Sequence, residues 1–252
     1  MSTPLEALRA SVGRFAALVT PLGERVTLHA FPTEWTIADV ASHLGSSAVI
    51  FQRRLDAGLA GGDVTDDLAP RVWAEWDAKS PAAKVHDALV VDAAFTTRLE
   101  TATPDERSRV SMSMGPLTWD WDQVVGGRLN EHLVHEWDVA VALDPDATLA
   151  ADGVAHMIDH VELIARWTAR PAGEPRQVTI RTTGPDRAFA VTVRADGVDF
   201  ATTPAESAPT LTMPAEALIR LVYGRLDADH TSASVVGDAA ALDQLRLVFR
   251  GL

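Results

Sequence analysis

The chain has 252 residues, 47% apolar and 23% charged, and its 22 basic and 35 acidic side chains leave a net charge of −13. That length supplies core for one large domain or two ordinary ones; no apolar run reaches the eighteen or so residues of a membrane span, and so negative a chain disfavours phosphate backbones, so neither membrane nor nucleic-acid partners are expected. There is no cysteine, which removes disulfides, thiolate metal sites and a cysteine nucleophile, so any thiol used here must arrive on a small molecule.

The N-terminus, MSTPLEALRASVGRFAALV, lacks the continuous apolar segment of a secretion signal, so a cytoplasmic location is the expectation. Helical periodicity covers about Leu5 to Val19 and stops near Pro21 and Gly23. A second helix opens at WTIADVASHL, where Thr36 and Asp39 have the spacing of a capping box. The Gly/Asp-rich stretch AGLAGGDVTDDLAP then reads as a loop. A third helix runs from about Pro81, a favourable first-turn residue, to Leu99. The fourth spans about Asp120 to Leu143, and the fifth about Asp152 to Ala169.

Composition changes at PAGEPR, residues 171–176, which reads as a linker. Beyond it lie short alternating segments rich in β-branched residues: QVTIRTT, AFAVTVRADGVDFATT and PTLTMP. Ala195-Asp196-Gly197 is placed as a hairpin turn. Two helices, about Pro214 to Tyr223 and Asp238 to Phe249, close the chain. The predicted fold class is α followed by α+β: an antiparallel helical bundle over residues 1–170, then a small α+β domain over residues 177–252.

The fourth helix carries NEHLVHEWDVAVAL, an apolar stretch with two histidines and two glutamates. At about 100° per residue, Glu131 and His135 share a face with Arg128, Val124, Val139 and Ala142. His132 and Glu136 fall on a flank. In the second helix His43 stacks with Val40, Ser47, Ile50 and Phe51 on the apolar stripe. Two bundle helices thus direct His43, Glu131 and His135 at a shared interior, and together these are three ligands for a divalent cation. The competing readings are a hydrogen-bonded core histidine at position 43 and an i,i+4 pair of Glu131 with His135, bridged by Arg128. His132 with Glu136 and His156 with His160 also have ligand spacing, the latter on a helix rich in charge.

WTIADVASHL resembles the second-helix motif of the DinB-like metal-binding bundles. RLNEHLVHEWDVAVAL is similar to the fourth-helix motif of one branch, the mycothiol-dependent maleylpyruvate isomerase family. LIRLVYGR and VVGDAAALDQLRLVF resemble that family's second, sterol-carrier-like domain. The resemblance implies a DinB-like antiparallel four-helix bundle followed by a sterol-carrier-like domain, with zinc held by His43, Glu131 and His135. It also implies mycothiol as the thiol cosubstrate. Metal coordination favours a thiolate, and thiolate addition to a conjugated double bond, rotation and expulsion isomerises it; an adduct that persists is S-transfer. The small-molecule partners are therefore the thiol and an electrophile, expected to be anionic. Its cationic contacts are assigned to Arg128, with Arg220 and Arg225 of the second domain, against the alternative of structural arginines. Asp138 is placed either behind a ligand histidine or on the surface. A monomer or homodimer is expected. The alternative function is a non-catalytic metal-binding or lipid-binding protein.

Overall fold

In the computed structural model, residues 2–31, 34–115, 117–202 and 210–251 are described. They divide into two compact units, Met1–Ala147 and Thr148–Leu252. None of the described helices is long and apolar enough to cross a membrane.

The first unit contains helices α1 (Pro4–Val19), α2 (Ile37–Leu59), α3 (Leu68–Asp77), α4 (Pro81–Glu100), α5 (Pro104–Arg109) and α6 (Trp121–Leu143). Strands β1 (Met112–Met114) and β2 (Leu117–Trp119) form a small antiparallel hairpin ahead of α6. The four long helices close a ring, with α1 packed on α6 and α4, and α2 on α4 and α6. Local chemistry sets their starts. Thr36 and Asp39 form the reciprocal capping box expected at α2, Thr3 and Glu6 do the same at α1, and Asp120 with Gln123 at α6. Ser80 caps α4 ahead of Pro81.

Helix α3 falls where the loop was expected to lead on to α4. It has no side-chain cap, and Leu68, Val72 and Trp76 form the stripe it buries. Trp76 reaches α2 where Gly45 leaves room: a Cβ there would meet the indole ring at 2.2 Å and the Ala88 backbone at 2.9 Å. Gly45→Ala is therefore expected to overpack the α2–α4 crossing and cost about 1–3 kcal/mol. Urea denaturation checks this; a loss below about 0.5 kcal/mol would show that the crossing can relax.

The second unit contains α7 (Ala151–Met157), α8 (Val161–Thr168), β3 (Arg176–Thr183), β4 (Arg187–Val193), β5 (Val198–Thr202), β6 (Leu211–Pro214), α9 (Ala215–Val222), β7 (Val236–Gly237) and α10 (Ala239–Val248). The strands form one sheet in the order β5-β4-β3-β6-β7, parallel at β3–β6 and antiparallel elsewhere. Arg194 N–H donates to Gly197 O at 2.8 Å, closing the expected hairpin between β4 and β5. Alternation along β3 and β4 buries Val178, Ile180, Phe189, Val191 and Val193. Thr203 and Pro209, at the ends of two expected strand segments, lie outside the described residues.

Two boundaries differ from expectation. The fifth helical stretch belongs to the second unit, not the bundle, and a one-turn 3-10 segment at Ile158–His160 divides it into α7 and α8. The physical reason is α9: all eight of its residues are buried, and α7 and α8 supply part of its cover. Residues 171–176, expected as a free linker, are tied down within the same unit. The Gln244 amide of α10 donates to Ala172 O and Glu174 O, and Gly173 (φ 75°) turns tightly beside it.

Candidate metal centre

The buried polar residues of α6 meet partners on three neighbouring helices. Counting from the ring α1–α4–α2–α6, they point in three directions. Glu131 and His135 meet His43 of α2; Arg128 and His132 meet Asp92 of α4; Glu136 meets Ser11 and Arg14 of α1. A helix that is apolar through most of its girth carries these groups because each has a polar partner across a helix interface.

His43, Glu131 and His135 converge. His43 Nε2 lies 2.8 Å from Glu131 Oε2, and His135 Nε2 lies 3.9 Å from the same oxygen. One donor atom from each of the three falls within 4.8 Å of the others, and among the described residues this is the group so arranged. The two imidazole centroids are 4.6 Å apart. Trp35, just before the α2 cap, stacks on His135 and tilts over His43, with centroids at 5.9 and 5.3 Å.

Behind His135, the fully buried Asp138 carboxylate lies 2.8 Å from Nδ1. It accepts the Nδ1 proton and so leaves the Nε2 lone pair facing His43 and Glu131. Asp138 thus lies in the interior behind His135, not on the surface. Burial lowers the His135 pKa, and the opposing pull of Asp138 does not restore it, so the imidazole is held neutral. Burial pushes the Glu131 carboxyl upward, but the His43 hydrogen bond and the electrostatic pull of the neighbouring His135, His43 and Arg128 outweigh it and bring it down to about 2. One carboxylate and two imidazole nitrogens, with Asp138 behind one of them, are donor types that a divalent cation takes. The residues fit such an ion: the proton now shared between His43 and Glu131 is what it would replace.

The other predicted site residues are placed differently. Arg128 is buried, and its Nη2 donates to Leu44 O at 2.8 Å and to Asp92 Oδ1. It is part of the bundle interior, not an exposed cation awaiting an anion. Arg220 is buried in α9, forked onto Glu216 at 2.7 and 3.0 Å and bonded to His230 O at 2.8 Å. Its charge is balanced within its own helix, at i,i+4. Arg225 is partly exposed, with Nη1 on Tyr223 O at 3.0 Å. His132 is fully buried against Asp92 and edge-on to Phe15, so the competing pair His132 with Glu136 is not a ligand pair. His156 and His160 lie in the second unit and join no convergent group among the described residues. Asp92 and Trp35 went unassigned in sequence because their partners sit on other elements.

The buried charges make stability depend on pH. Burial opposes ionisation of Asp92, but Arg128 and His132 outweigh it and depress its pKa, so its contribution is present above about pH 4 and lost as pH falls through the native value. His132 and His135 are depressed mainly by burial, so the unfolded chain takes up protons first as pH falls below about 6.5. Urea midpoints are therefore expected to fall between pH 7 and 5 and again below 4. A flat midpoint from 7 to 5 would contradict neutral burial of these imidazoles.

Two family profiles match the chain, the mycothiol maleylpyruvate isomerase N-terminal domain over residues 8–140 and the MDMPI C-terminal domain over residues 148–244. The chain belongs to the mycothiol maleylpyruvate isomerase family. The profile boundary falls where the two compact units part. No curated protein sequence matches the chain. Among solved structures, the crystal structure of the mycothiol-dependent maleylpyruvate isomerase is similar with TM-score 0.67 and 14% identity, over 92% of this chain and 90% of that one. A histidine-to-alanine mutant of that enzyme gives 0.66 and 13%, over 88% of both chains. At such identity these two structures speak for the fold: a helical unit followed by a small sheet-containing one.

Proposed function

We propose that this family member is a thiol-dependent isomerase that uses mycothiol to interconvert the cis and trans forms of maleylpyruvate or a related unsaturated acid, with a divalent cation, zinc by preference, at His43, Glu131 and His135. The observation that supports this reading is the convergence of those three donors in a chain with no cysteine. Bound there, the cation would keep an incoming thiol as its thiolate at neutral pH. The chain's own groups prepare the place. Asp138 fixes the His135 tautomer, the low pKa of Glu131 keeps its carboxylate ionised, and Trp35 restricts both imidazoles.

The thiolate carbon–sulfur bond forms at the double bond, whose electron pair moves onto the conjugated carbonyl. The former double bond, now single, rotates; the electrons return and expel the thiolate, so no proton or electron is consumed overall. An adduct that accumulates instead would indicate S-transfer.

The test is an assay of purified chain with maleylpyruvate, with and without mycothiol, alongside metal analysis. The proposal expects about one divalent ion per chain and conversion only when thiol is present. A metal-containing chain with no turnover would be a binding module, and one indifferent to both metal and thiol would be a carrier.

A further inference from the structure

A layer of polar side chains crosses the bundle core at the level of the metal centre. It lies between two apolar clusters. Leu8 and Phe15 flank Ser11 on α1, Ala88 and Phe95 flank Asp92 on α4, and Leu129 and Val139 flank His132 and Glu136 on α6. Arg128 stands at its middle. Its Nη2 donates to the carbonyl of Leu44, the residue after His43, and to Asp92 Oδ1; His132 Nε2 lies 3.1 Å from the same nitrogen. On α6, Arg128 sits one turn ahead of Glu131.

We propose that Arg128 is a positioning residue of the metal centre, resting on the reading of that centre given above. One guanidinium joins the backbone of α2 beside His43 to α6 beside Glu131 and to α4 at Asp92. It thereby fixes the separation and register of the two helices that supply the ligands. Stability is the weaker explanation for its presence. A buried ion pair is commonly replaceable by apolar residues without loss, and this one is incompletely satisfied. Arg128 Nη1, Asp92 Oδ2 and His132 Nδ1 are buried with no hydrogen-bond partner among the described residues. A half-satisfied polar layer costs stability; what it supplies is a defined position, and ligand sets must be held to within about 0.5 Å. Lysine, with its charge on a shorter and flexible stem, does not hold a nitrogen at the Nη2 position from which both contacts are made.

The experiment compares the full-length wild type with Arg128→Lys and with the paired Arg128→Met/Asp92→Leu. Each is titrated with Co(II) well below its own Tm, and affinity, visible d–d spectrum and Tm are recorded. Both variants are expected to bind cobalt at least about tenfold more weakly, with altered spectra, while the paired variant, free of buried charge, recovers most of its Tm. Affinity thus separates from stability, which a merely structural role would not produce. Wild-type affinity and spectrum in either folded variant would overturn the proposal, as would failure of both to fold, which assigns the layer to stability. A wild type that takes up no cobalt overturns the metal centre itself, and with it this role. Wild-type uptake with unaffected variants sinks only the positioning role.

Discussion

His43→Ala and His135→Ala are expected to strip the cation from the purified chain and reduce thiol-dependent turnover to background. Each removes one of three donors that lie within 4.8 Å of one another, and the two that remain form a weak site. Glu131→Gln keeps the shape but loses the charge, so it should weaken binding more than it disturbs the fold. The decisive contrast is His132→Ala. His132 has ligand-like spacing in the sequence, yet the structure buries it against Asp92 and Phe15, on the α4 and α1 side of α6. That variant should keep its cation and lose about 1–3 kcal/mol of stability, because Asp92 and Arg128 lose a buried partner. Metal content measured by atomic emission, paired with urea denaturation, reads both effects. Loss of the ion in His132→Ala with retention in Glu131→Gln would show that the wrong pair on α6 has been assigned.

Asp92→Ala is expected to be the most destabilising single change in the bundle that leaves the metal ligands intact. It leaves the Arg128 guanidinium in the core with no counter-charge, and breaking a buried pair from one side costs about 3–5 kcal/mol. The depressed Asp92 pKa has the same physical origin: the native state stabilises its anion through Arg128 and His132 despite burial. Two further observations should accompany the loss. The loss of stability below pH 4 should shrink, because one of its titrating groups is gone while Glu131 still titrates there, and adding Arg128→Met should restore much of the lost stability. A change under about 1 kcal/mol on Asp92→Ala would mean that water reaches the pair and that the layer is not buried in solution.

Much of this was readable in the residues. The capping box at Thr36, the proline at position 81 and the apolar stripes set the starts of α2, α4 and α6 to within a residue or two. The face shared by Glu131 and His135, and the stripe carrying His43, were legible from helical geometry because they follow from local spacing alone. Tertiary partners were not. Nothing in the spacing of Arg128 distinguishes an anion-binding cation from one clamped between Leu44 O and Asp92, 36 residues away in sequence. The stretch from Asp152 to Ala169 has the same periodicity whichever core it joins. Its place in the second unit is decided by α9, which is buried on every side and needs cover. Helix α3 was hidden by an uncapped start and a proline in its first turn, although Leu68, Val72 and Trp76 mark its buried stripe.

X-ray absorption at the metal edge of the loaded, full-length chain tests the ligand set most directly. Two imidazoles, with their distant ring scattering, and one carboxylate oxygen at about 2.0–2.2 Å are expected if the ion is zinc, with one imidazole fewer in His43→Ala. An all-oxygen shell, or a spectrum that His43→Ala leaves unchanged, would contradict this ligand set.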